Sequence, residues 1–119
     1  MRTLMVRIGG MADAKARFVK AGADALKGDP IAATPTLNFA SYDDMHRVLA
    51  PARLAIVRAL AGQEPMAIRE VARRIGRDIQ AVHRDVTTLL NAGVIDRSDG
   101  GITVPYDRIH FEFDVSAAA

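Results

Sequence analysis

Between residues 68 and 95 the apolar residues fall into two short helical stripes separated by a glycine, and few folds satisfy that pattern. Ile68, Val71, Ala72 and Ile75 recur at i, i+3, i+4 and i+7, the spacing of a helix of about two turns with one apolar face. Gly76 permits the positive φ that stops this helix, and Asp78 can cap the next. Val82, Val86, Leu89 and Leu90 then mark a second stripe, closed by Gly93. Ala72 is small where a second helix must cross closely. Two short helices joined by a turn of three or four residues containing glycine match the helix-turn-helix pattern.

The β-prone runs 94–97 and 102–104 flank Ser98-Asp99-Gly100-Gly101, a hairpin signal. Upstream, Ser41 is a good N-cap, with Asp43 and Asp44 favoured by the dipole in the first turn that follows. Pro51 starts a further helix with Leu54, Val57, Ala59 and Leu60 on its apolar side, and Glu64-Pro65 breaks the chain again. Helix, helix, recognition helix and hairpin in that order predict a winged helix-turn-helix over 41–105, its motif proper running from 51 to 105.

Either side of it lie extra elements. Leu4, Val6 and Ile8 alternate with Thr3, Met5 and Arg7, which predicts a strand ending at Gly9-Gly10. Met11, Ala14, Phe18, Ala21 and Ala25 predict a helix stopped by Gly28-Asp29-Pro30, and 35–40 a second strand. This strand-helix-strand arm (1–40) needs a third strand or a second subunit, because two strands alone make a poor sheet. In 106–119, Ile109, Phe111, Phe113 and Val115 alternate with polar residues. They predict a strand packed on its own domain or, as the alternative, an edge strand pairing with the first strand, a second subunit or a partner. Leu4, Val6, Ile8, Phe18, Phe111 and Phe113 are the candidate dimer or partner interface. The fold class expected is α+β.

Charge alone does not decide between a phosphate partner and arginines that simply solvate helix faces. Formal net charge is only +2, but residues 51–97 hold eight arginines and no lysine against five acids, whereas 98–119 hold Arg108 against four acids. Guanidinium groups match phosphate oxygens bidentately. Off the buried stripe of the second helix, Gln80, Ala81, His83, Arg84 and Thr87 are the candidate base contacts. Glutamine pairs with adenine, and arginine with guanine O6 and N7. Arg69, Arg73, Arg74, Arg77 and Arg97 are candidate phosphate contacts, which set register rather than sequence. Asp85 is expected to be an ion-pair partner on the helix surface. The hairpin is acidic, with Asp96 and Asp99 against Arg97, so base reading is assigned to the second helix.

No catalytic constellation is apparent. The chain has no cysteine, and His46, His83 and His110 lack ligand spacing, so neither metal nor cofactor is expected and the chain is not expected to be an enzyme. No stretch approaches the roughly 20 apolar residues of a membrane span, and the short N-terminal apolar run is not a signal peptide, so a cytoplasmic protein is expected.

Several of these segments resemble a known group. Arg53…Leu60, 68–72, 75–78, 82–86, 89–95 and 104–107 are similar to MarR-like predicted transcriptional regulators of prokaryotes, as are the N-terminal opening and the C-terminal strand. The resemblance implies DNA binding as a homodimer, with autoregulation. Some members of that group are antitoxins encoded beside small toxins, which makes a toxin-binding interaction module the alternative to a sequence-specific DNA-binding regulator.

Overall fold

In the computed structural model, residues 2–9 and 35–115 are described. The helix expected at 11–27, and Phe18 within it, lie outside them. In chain order the described elements are strand β1 (Thr3–Ile8), strand β2 (Thr36–Phe39), helices α1 (Tyr42–Val48), α2 (Pro51–Leu60), α3 (Ile68–Ile75) and α4 (Ile79–Ala92), and strands β3 (Asp96–Ser98), β4 (Gly101–Thr103) and β5 (Arg108–Glu112). The architecture is α+β.

Three strands form one sheet in the order β2-β1-β5, and both pairings are parallel. The third strand that the arm required is therefore β5, from the far end of the chain. Thr3 sits opposite Arg108 and Val6 opposite both Leu37 and Phe111. Arg2 fastens the junction: its N–H donates to Asp107 Oδ2 at 2.5 Å, its carbonyl accepts from the Asp107 N–H at 2.7 Å, and its guanidinium lies over the Tyr106 ring.

The sheet does not stand apart from the helices. Leu4, Val6 and Phe39 are buried in the same apolar cluster as Met45 and Leu49 of the α1 region, Ile56 of α2, Val71 of α3 and Val86 of α4. No polar or charged residue is buried among the described residues. Leu4 and Val6, expected at a dimer interface, are 2% and 0% exposed. This corrects their assignment: the alternation revealed an apolar face, but the chain's own helices cover it. Nor is β5 a core strand, since four of its five residues are exposed and only Ile109 packs inward.

Caps follow the sequence signals. Ser41 accepts from the Asp44 N–H at 3.1 Å, Asp78 from the Ala81 N–H at 3.1 Å, and Gly76 and Gly93 end α3 and α4 in the left-handed conformation. The β3–β4 hairpin turns at Asp99-Gly100, with Ser98 opposite Gly101. One pairing has no periodic signal in the sequence. Met66, just before α3, bonds Ile102 in both directions (N···O 3.1 and 2.9 Å), a single antiparallel bridge on the edge of β4 away from β3.

Candidate nucleic-acid interface

The exposed surface of α4 follows from its stripe. Val82, Val86 and Leu89 are buried, so the turns between them put Gln80, His83, Arg84 and Thr87 into solvent, while Ala81 is half-buried. Ile79, Gln80, His83 and Arg84 line a shallow concavity of about 400 Å³ at the N-terminal end of the helix. Thr87 donates to the His83 carbonyl at 3.0 Å, which keeps its hydroxyl against the helix and leaves its lone pairs for an outside donor. The side chains of Arg84 and His83 have no hydrogen-bond or ion-pair partner among the described residues.

Ile79 was not singled out by sequence. It is 44% exposed, an isoleucine standing at the start of α4 outside the buried stripe. Its position directly after the Asp78 cap was the available signal, and an exposed apolar side chain there suits contact with a thymine methyl.

A cluster of ion pairs holds the inner side of α4. Asp85, whose side chain is 15% exposed, accepts from Arg53 Nε of α2 at 3.2 Å and from Arg77 Nη1 of the α3–α4 turn at 2.9 Å. Arg53 also donates to the Arg47 carbonyl at the end of α1, and Arg77 reaches the Ala52 carbonyl at 3.5 Å. One carboxylate thus ties α4 to α2 and to the turn before it, and Arg53 extends the cluster to the end of α1. Asp85 is an ion-pair partner, as its place on the helix suggested, but it bridges elements instead of decorating a surface. Arg77, expected at a phosphate, is half-buried and engaged in this cluster.

The α3 arginines divide in the same way. Glu70 accepts from Arg73 Nη2 at 2.5 Å and from Arg74 Nε at 3.0 Å, the i,i+3 and i,i+4 partners on its own helix. Arg69 has no such partner among the described residues, nor does Arg97 on β3; both are exposed. Of the expected interface set, Ile8 is half-buried, while Phe111 and Phe113 are 37% and 38% exposed.

The hydrogen bonds from Arg73, then those from Arg74, lower the Glu70 carboxyl from its ordinary 4.5 to about 2. A carboxyl lowered on folding stabilises the fold above its ordinary value, and that contribution fades as pH falls from about 4.5 towards 2. The melting midpoint of Glu70→Gln is therefore expected to sit below that of the unaltered chain by a constant, small margin at neutral pH. The margin closes between pH 4.5 and 2 in a thermal melt series. A margin that persists at the acid end would mean that charge on Glu70 is not its source.

Against known proteins, the family model described as HVO_A0114 matches residues 48–111, more than half of the chain. An uncharacterized protein of Methanocaldococcus jannaschii, MJ1503, is 42% identical over 53 residues, a match spanning 40% of this chain and 40% of that protein. No solved structure matches. Among the described residues, no helix is long and apolar enough to cross a membrane.

Proposed function

The chain belongs to the HVO_A0114 family; from the exposed face of α4 we propose that residues 51–105 act as a winged helix-turn-helix in a MarR-like, sequence-specific regulator that binds double-stranded DNA as a dimer. In this reading α4 enters the major groove with Gln80, His83, Arg84, Thr87 and Ile79 at base edges. Arg69, with Arg73 and Arg74 beside it, meets the phosphates. The hairpin of β3 and β4 is the wing, contributing Arg97.

One observation carries the proposal. The N-terminal half of α4 presents an exposed row of groups that can read bases, while its opposite side is locked by Val82, Val86, Leu89 and the Asp85 cluster. A helix placed only to fill a core has no need of Gln80, His83 and Arg84 around an open concavity. Holding such groups on a rigid element lowers the ordering cost on binding.

Arg84→Ala is expected to weaken specific binding by about 1–3 kcal/mol and to relax base choice at one position, leaving non-specific affinity nearly unchanged. Fluorescence anisotropy on DNA selected from a random pool, repeated across salt concentrations, measures both effects. If no duplex is enriched and no salt-dependent affinity is found, the chain is not such a regulator.

A further inference from the structure

The dimeric part of the preceding reading can be given an interface, and the inference rests on that reading only there. We infer that two copies of this chain pair through the outer edge of β5, antiparallel about a two-fold axis at His110, to make one continuous sheet.

The backbone sets the possible partners. In β1 the N–H groups of Met5 and Gly9 donate towards β2, so the peptide groups of Leu4, Val6 and Ile8 turn towards β5. With Arg108 N–H donating to the Arg2 carbonyl, residues 108, 110 and 112 spend their backbone groups on β1. Those of Ile109 and Phe111 then point outward, and no described residue lies beyond them in the sheet order.

The side chains select a register. An antiparallel copy centred on His110 sets Ile109 opposite Phe111 of the second copy, and Phe111 opposite Ile109. These are the hydrogen-bonded pairs that the outward peptide groups require. The same register sets Arg108 opposite Glu112 in both directions, in the closer non-hydrogen-bonded positions. The five residues of β5 are thus complementary to themselves in charge and in apolar character, as an isologous interface demands. The Arg108 guanidinium has no ion-pair partner among the described residues, and Glu112 has only Arg7 at 3.4 Å. Centring on Phe111 instead would carry the pairing into residues 113 and 114, outside the strand; centring on Ile109 would set Arg108 against His110.

The two edges of the sheet also differ in protection. β2 is only four residues long, and its outward-facing residues are Thr36 and Asn38, neither of which is without a partner. β5 carries no proline, lysine or glycine, and its two apolar side chains are only partly covered. An undefended edge of that kind invites a strand.

The test is done without DNA, so that its failure and that of DNA binding are distinguishable. Sedimentation of the unaltered chain at micromolar concentration should give two copies per particle. Arg108→Glu should raise the dissociation constant roughly tenfold or more, since like charges then face each other twice. The double variant Arg108→Glu with Glu112→Arg should recover most of that loss, with circular dichroism confirming that each variant is folded. His110→Cys places the sole cysteine of the chain on the axis, where the Cα spacing of an antiparallel pair suits a disulfide, and mild oxidation should link the copies. A monomer in the unaltered chain, an unaffected dimer in Arg108→Glu, or linking of His110→Cys no faster than of His46→Cys overturns the inference.

Discussion

Replacing Gly101 by alanine is expected to destabilise the chain by about 3–5 kcal/mol, the combined scale of a core overlap and a strained backbone. A Cβ built there lies 2.1 Å from the Met66 carbonyl oxygen and 2.3 Å from its carbon. Both belong to the backbone that pairs with Ile102, so relief requires moving a chain segment rather than rotating a side chain. The residue also holds φ +137°, which side chains rarely adopt. Separating Met66 from β4 would loosen the entry to α3 and uncover Ile102, 1% exposed. Gly76→Ala is the control: its Cβ meets nothing within 4 Å, so only the positive φ opposes it, at about 1 kcal/mol. Urea titrations of the two variants measure the difference. Equal costs would show that the Gly101 approach is not tight.

Asp85→Ala is expected to cost about 2–3 kcal/mol, because it leaves two guanidinium groups partly desolvated and without their carboxylate. The loss should exceed that of Asp44→Ala, whose ion pair with Arg47 is local and exposed and therefore worth about 0–1 kcal/mol. On the proposed DNA-binding reading it should lower DNA affinity as well, since Asp85 fixes α4 against α2 and against the turn before it. Replacing Asp85, Arg53 and Arg77 together by leucine and two methionines should return much of the stability, as apolar substitution of a whole ionic cluster does. If the triple variant is as unstable as Asp85→Ala, the carboxylate is not what the arginines require.

What the sequence disclosed was local. The stripes of α3 and α4, the stops at Gly76 and Gly93, the caps Ser41 and Asp78 and the hairpin at Asp99-Gly100 each depend on neighbours a few residues away. Pairing of β5 with β1, which joins the two ends of the chain, was open in the sequence only as the alternative to a core strand, because alternation in each strand says that a face is apolar without saying what covers it. Alternation alone therefore fits Leu4 and Val6 to an interface as well as to the core that buries them. The Met66–Ile102 rung involves one residue and has no period, although a second glycine after Gly100, beyond what a tight turn needs, was its trace. Among the site residues, the exposed set on α4 was legible because it is the complement of the buried stripe. The state of the arginines was not: Glu70 lies at helical spacing from Arg73 and Arg74, but Arg53 and Arg77 meet Asp85 only through the packing of three elements.

The Glu70 pairs bear on the speed of an encounter as much as on its strength. Seen from beyond a Debye length, Arg69, Arg73, Arg74 and Glu70 act as a net +2, so α3 exerts a weaker pull on a distant polyanion than its three arginines suggest. At contact, a phosphate arriving beside Arg73 competes with a carboxylate already in place. For the proposed complex with duplex DNA, the expected kinetic signature is association of ordinary rate, only moderately slowed by salt, with discrimination between duplexes residing in how long each complex lasts.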